Sequence, residues 1–109
     1  MQVSTVFKAL TVGTFLLIFG LAAQAGADSK GGDLFKQKCA MCHGADGKGY
    51  SALKTPDFTD PKVQASLTDK EILGVIRNGK KGTPMPAFGS SLSDQQIQSL
   101  LGYIRSLKK

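Results

Sequence analysis

The apolar positions of the chain change their spacing at about residue 27. A short segment ending in Lys8 is followed by an uncharged apolar run from Ala9 to Leu21 and by two A-x-A tripeptides. A positive start, an apolar run and small residues after it are typical of a secretory signal peptide. We therefore predict a leader over residues 1–27 and a mature domain over residues 28–109.

An uncleaved membrane anchor is the alternative for the same segment. Its uncharged run of about 13 residues is shorter than the roughly 20 that a helix needs to span a bilayer, so the leader is favoured. With either interpretation the folded domain lies outside the cytoplasm, where thiols are not kept reduced. We expect a periplasmic protein that contacts a membrane only through its partners or through an uncleaved N-terminus.

Beyond residue 27 the apolar residues recur at helical spacing, and no segment alternates as a half-buried strand does. Thr68 and Glu71 form a capping-box pattern at one helix start, and Gly79 is placed to end that helix. Ser93 begins the last helix in the same way. The two apolar stripes are Ile72, Leu73, Val75 and Ile76, and Ile97, Leu100, Leu101 and Ile104.

Two shorter helical pieces complete the prediction, one over residues 33–38 and one turn over residues 50–54. The segment between them is rich in glycine, and a long loop over residues 80–91 precedes the last helix. The chain is thus predicted to be all-α, with about four short helices.

The composition indicates that protein alone does not fill the core. Residues 28–109 contain only 28 apolar side chains, whereas residues 1–27 contain 17. A domain of this size and composition buries little apolar surface without an additional group. The 109 residues also exclude a multidomain enzyme, a doubly wound nucleotide-binding sheet and a barrel.

The segment Cys39-x-x-Cys42-His43 is the attachment pattern of c-type haem. Two cysteines three positions apart project to the same side of a tight turn, so that each sulfur can add to one vinyl group. His43 then lies under the iron and supplies a nitrogen ligand. The pattern predicts one covalent haem c, with its iron, as the missing part of the core.

Three other uses of Cys39 and Cys42 remain open at this stage. A redox-active dithiol is expected beside a βαβ pattern, which the chain lacks. A structural zinc site needs four protein ligands, and the two cysteines with the one histidine give three. A disulfide between residues so close in sequence closes a very small loop and stabilises little.

Met85 is the candidate for the sixth iron ligand. Met1 belongs to the predicted leader, and Met41 lies within the attachment turn on the histidine side. Pro84 and Pro86 restrict the backbone around Met85 and favour an extended geometry. The alternative is that Met85 only packs in the core, as most methionines do. Histidine with methionine is an established axial pair for haem iron.

The mature region resembles the class I c-type cytochromes, of the short bacterial kind with one haem. The resemblance covers residues 30–107. It is carried by Gly31-x-x-x-Phe35-x-x-x-Cys39, by Cys42-His43, by Thr83-Pro84-Met85-Pro86-Ala87-Phe88 and by Leu100-x-x-Tyr103-Ile104.

The resemblance implies a small cytochrome c fold wrapped round one haem. In that fold the first and last helices cross, so Gly31 and Phe35 would meet Leu100 and Tyr103. It also implies that the Pro56 carbonyl accepts a hydrogen bond from the second ring nitrogen of the haem-ligating histidine, which would fix the ring. The resemblance does not decide which side chains hold the haem propionates. The candidates are Arg77, Lys54 and Tyr50.

An iron ligated on both faces has no open position for a substrate. We therefore expect a carrier of single electrons between redox partners, and not an enzyme. One alternative is an electron-transfer subunit of a larger oxidase or dehydrogenase complex. Another is a gas-binding or catalytic haem protein, which requires Met85 to leave the iron easily.

The net charge of +6 favours acidic partners at the docking face. A solvated surface explains the same charge equally well. The export pattern and the haem motif argue against nucleic acid as a partner, and we expect a monomer. The lysines close in sequence to the haem-bearing segments are Lys36, Lys38, Lys48, Lys54, Lys80 and Lys81.

Overall fold

The computed structural model describes Gly13 and residues 25–109, with the side chains of the first helix described from Lys30 onward. Of the predicted leader, this part includes only Gly13 and residues 25–27, so its cleavage and the anchored alternative stay predictions. Within the described part, no helix combines the length and the apolar character that crossing a membrane requires.

The described residues form helices joined by loops, without a strand. The all-α prediction is therefore confirmed. In chain order the elements are α1 (Ala25–Lys38), α2 (Ala40–His43), a 3₁₀ turn (Ser51–Leu53), α3 (Pro61–Ser66), α4 (Asp69–Asn78) and α5 (Asp94–Ser106).

The boundaries of α4 and the start of α5 agree with the sequence pattern. The Thr68 hydroxyl accepts from the Glu71 backbone N–H at 3.1 Å, and the Glu71 carboxylate accepts from the Thr68 N–H at 2.8 Å. Ser93 and Gln96 form the same reciprocal pair ahead of α5. Gly79 follows α4 with φ +71°, a conformation that favours glycine.

Helices α1 and α3 differ from the sequence-based prediction, and the one-turn helix α2 was expected only as the attachment turn. In the described part α1 begins at Ala25 rather than at residue 33, because Gly31 and Gly32 are buried against α5 and packing outweighs their low helix propensity. Helix α3 was not predicted, because only one of its six residues is buried and that residue is polar. It begins with an Asp60 cap and a proline at the first position, which are common helix-start features.

The crossing of α1 and α5 holds the two ends of the domain together. Phe35 and Leu100 have no exposed surface, and the ring of Phe35 lies 5.2 Å from that of Tyr103. At Gly31 the helices are so close that a Cβ atom would overlap the Ser99 carbonyl oxygen and lie 3.0 Å from the Tyr103 Cβ. The crossing implied by the family resemblance is present.

This close approach makes Gly31 intolerant of a side chain. We expect Gly31→Ala to push the helices apart and to lower the free energy of unfolding by about 1–3 kcal/mol, the usual cost of overpacking. Gly74→Ala is the matched control, because Gly74 lies within α4 and a Cβ there meets nothing within 4 Å. The control should be neutral or stabilising by up to about 1 kcal/mol. Urea unfolding of both variants checks the difference, and equal midpoints would contradict it.

Candidate functional site

A cavity of about 600 Å³ lies among α2, α4, the 3₁₀ turn and the long loop before α5. Its size is within the roughly 300–1,000 Å³ common for cofactor and ligand sites. Ile72, Val75 and Ile76 of α4 contribute to its lining, together with Phe35 and Phe58. The stripe predicted as the core face of α4 therefore also forms a wall of this cavity.

The attachment turn presents its three reactive side chains to the cavity. Helix α1 ends at Lys38, and the next turn is closed by hydrogen bonds to the Cys39 carbonyl from the Cys42 N–H at 3.2 Å and from the His43 N–H at 2.9 Å. Cys39, Cys42 and His43 all line the cavity. Met41, in the same turn, is 87% exposed and is not among the lining residues, which agrees with its exclusion as an iron ligand.

The ring of His43 is held between aromatic side chains. Phe58 stacks on it with centroids 5.2 Å apart, and Phe35 lies tilted at 6.3 Å. Burial lowers the pKa of His43, so the neutral imidazole, which is the form that binds a metal, is favoured. The Nδ1 atom is buried without a hydrogen-bond partner. An unpaired buried nitrogen costs about 1–3 kcal/mol, and this is the ring nitrogen for which the resemblance implies a hydrogen-bond partner rather than the iron.

Pro56 lines the same cavity, but the hydrogen bond implied for its carbonyl is absent from this structure. The Pro56 carbonyl instead packs against Gly49, where a Cβ atom would lie 2.8 Å from the oxygen. The positive φ of Gly49, +72°, permits this close approach. Phe58 stacks on the imidazole, and the bond to Pro56, which the resemblance implies for the haem-loaded protein, stays a prediction.

The chemistry of the cysteines bears on their alternative uses. Cys39 and Cys42 are both free thiols. Burial, and secondarily the neighbouring Cys42, raises the pKa of Cys39 to about 11. A redox-active dithiol needs a lowered thiol pKa, so this environment argues against that use. In the described part of the chain no three His, Cys, Asp or Glu side chains are grouped so that they could hold a metal ion.

Met85 reaches the same cavity from a distant part of the sequence. Its side chain is half-buried and lines the cavity together with Pro84 and Pro86. The fold thus brings Met85 to one site with Cys39, Cys42 and His43. Two thiols, an imidazole and a thioether suit an attached haem c: a covalent link for each vinyl group and a nitrogen–sulfur axial pair.

The structure distinguishes among the three residues that are candidates for binding the haem propionates. Lys54 lines the cavity and adopts a left-handed backbone with φ +54°, the one positive φ of a non-glycine residue in the described ranges. Arg77 pairs with Asp94 at 3.4 Å and does not line the cavity. Tyr50 is 49% exposed and does not line it either. Lys38 and Lys80 are further cationic side chains on the cavity.

A polar network behind the cavity was not anticipated from the sequence. The buried Gln64 amide donates to the carbonyls of Phe58 at 2.7 Å and Ile104 at 2.8 Å. Arg105 donates in turn to the Gln64 side-chain oxygen at 2.8 Å and to the Leu67 carbonyl. The network fixes Phe58, which stacks on His43. An isolated glutamine in a polar segment carries no pattern that would have revealed it.

The sequence of this chain is also similar to those of known proteins. A family model described as cytochrome c oxidase, cbb3-type, subunit III matches residues 26–104. The FixP subunit of the cbb3-type cytochrome c oxidase of Azorhizobium caulinodans is 37% identical over 81 residues, which are 74% of this chain and 27% of that protein. The chain therefore spans about a quarter of the length of that relative.

The chain is also similar to proteins that are smaller than that relative. Cytochrome c6 of Leptolyngbya boryana is 36% identical over 74 residues, which are 68% of this chain and 85% of that protein. The solved structure of the c-type cytochrome KustC0563 superposes with a TM-score of 0.67 at 30% identity, covering 72% of this chain and 98% of that one. The similarity thus extends over nearly the whole of these two proteins.

Proposed function

The chain belongs to the c-type cytochrome family described as cbb3-type cytochrome c oxidase subunit III, and we propose that it moves single electrons through one haem c held by Cys39 and Cys42. Membership of this family implies covalently attached haem c, with its iron, as the cofactor. The assignment of these residues rests on one observation: both cysteines, His43 and Met85 line the same cavity.

Each of these residues has a distinct part in the proposal. When bound, haem c supplies an iron centre that gains and loses one electron. Cys39 and Cys42 keep the cofactor from dissociating, and His43 and Met85 ligate the iron. Since this ligand pair leaves no position for a substrate, we propose an electron-transfer protein that is not itself an enzyme.

The relatives favour a subunit of a larger complex over a free carrier. The sequence-based interpretation placed a free periplasmic carrier first and a subunit of an oxidase or dehydrogenase complex second. Several similar proteins are named as FixP or CcoP subunits of cbb3-type oxidases. We therefore propose that the domain faces the periplasm and exchanges electrons with redox proteins of an oxidase-type complex.

Purification from mildly solubilised membranes distinguishes the two arrangements. We expect a C-terminally tagged chain to elute together with other haem-containing proteins, and we expect oxygen to reoxidise its haem within that complex. An unrelated exported protein that carries the same tag serves as the control for unspecific capture. Recovery of all the haem protein as a monomer in the soluble periplasmic extract would instead support the free carrier.

A further inference from the structure

The main chain of Met85 is held on both sides by the loop of residues 79–88, called here the Met85 loop. The Met85 N–H donates to the Thr83 hydroxyl oxygen at 3.3 Å. The Met85 carbonyl accepts from the Lys80 N–H at 3.3 Å. Because Pro84 and Pro86 have no N–H, the Met85 N–H is the single backbone donor of the Pro-Met-Pro segment. Both backbone polar groups of Met85 are therefore paired within the loop.

The Thr83 side chain closes this small ring of hydrogen bonds. Its hydroxyl donates to the Lys80 carbonyl at 2.7 Å while it accepts from the Met85 N–H. The Thr83 N–H donates to the same Lys80 carbonyl at 3.2 Å. One hydroxyl thus joins Lys80, the second residue of the loop, to the residue that carries the thioether.

The ends of the Met85 loop are fastened to α4. A Cβ atom on Gly79 would lie 2.8 Å from the Met85 carbonyl oxygen, so glycine allows the loop to pack against the helix end. The N–H groups of Phe88 and Gly89 donate to the Ile76 and Arg77 carbonyls at 2.9 and 3.0 Å. These carbonyls lie in the last turn of α4, where the helix has no partners of its own for them. The two hydrogen bonds of the Thr83 hydroxyl therefore form inside a loop whose ends are already held by α4.

From this geometry we infer that Thr83 is a positioning residue for the sixth ligand: its hydroxyl holds the Met85 backbone so that the thioether stays on the iron. The inference rests on the proposed ligation by Met85. Thr83 is exposed to solvent and is also one of the residues that line the cavity. Loss of the hydroxyl removes both of its hydrogen bonds, and only the one from the Met85 N–H is made to the ligand residue itself. Loss of that one bond corresponds to a roughly two- to tenfold rise in the population with Met85 off the iron.

Imidazole binding to the oxidised, haem-loaded protein measures that population, because imidazole competes with Met85 for the iron. We expect Thr83→Val and Thr83→Ala to lower the apparent dissociation constant for imidazole by roughly two- to tenfold. The weak long-wavelength sulfur-to-iron absorption should decrease in parallel. Thr83→Ser retains the hydroxyl and should restore the wild-type values.

Two further variants separate the possible outcomes. Ser106→Ala removes an exposed side-chain bond to a backbone carbonyl at the end of α5, 2.6 Å in length, and should leave imidazole binding unchanged. If Ser106→Ala lowers the apparent dissociation constant for imidazole as much as Thr83→Val does, the effect is general destabilisation and the inference is overturned. If Met85→Ala opens the iron while Thr83→Val behaves as wild type, the inference is overturned and Met85 ligation stands. If Met85→Ala itself changes nothing, the ligation and the inference are both overturned.

Discussion

Met85→Ala is expected to leave haem attached and to open the sixth position of the iron. Attachment depends on Cys39 and Cys42, which this change does not touch. Without the thioether, the reduced iron should bind carbon monoxide, and the reduction potential should fall because methionine ligation raises it. Absorption spectra of the oxidised, reduced and carbon monoxide-treated forms check the expectation.

Met41→Ala provides the matched control for that variant. Met41 is another methionine of the described region, but it is 87% exposed and lies outside the cavity. Its removal should change neither the spectrum nor the reduction potential appreciably. A Met85→Ala protein that keeps the wild-type oxidised spectrum and potential would show that Met85 only packs in the core.

The double variant Cys39→Ala with Cys42→Ala is expected to yield a poorly folded chain without haem. The cavity of about 600 Å³ would then lack the group that fills it. Its apolar walls, which include Ile72, Val75 and Ile76, would face water instead of the haem. Full burial of one such side chain is worth about 1.5–3 kcal/mol, and a small domain is stable by only roughly 5–15 kcal/mol. Far-UV circular dichroism during thermal unfolding should show a weak, non-cooperative transition.

A single conservative substitution tests whether folding depends on the cofactor or on the thiols themselves. Cys39→Ser alone, which retains Cys42, should keep one covalent link and an intermediate stability. If the double alanine variant instead unfolds cooperatively at the wild-type temperature without haem, then the core does not depend on the cofactor. That result would also remove the compositional argument for a non-protein group in the core.

Local signals made α4 and α5 predictable from the sequence. Thr68 with Glu71 and Ser93 with Gln96 are capping boxes that act within four residues, and both form as expected. The attachment turn is equally local, because the spacing of Cys39 and Cys42 alone places both sulfurs on one side. Such features need no knowledge of the rest of the fold.

The features that the sequence did not reveal depend on contacts between distant segments. The earlier start of α1 depends on burial of Gly31 against Ser99, and α3 depends on the bond from Gln64 to the Ile104 carbonyl. Phe58 carries no pattern that marks it as the ring that stacks on His43. The Pro56 carbonyl lies close to Gly49, and the hydrogen bond that the resemblance implies for it stays a prediction.

The most direct test of the account is the absorption spectrum of the wild-type protein, exported together with a haem-attachment system. It is recorded oxidised, reduced, and reduced under carbon monoxide. The account predicts sharp reduced bands of the c type that carbon monoxide leaves unchanged, because His43 and Met85 both occupy the iron. A marked shift with carbon monoxide would contradict the closed site and favour a gas-binding or catalytic role, and the absence of any haem spectrum would contradict the account as a whole.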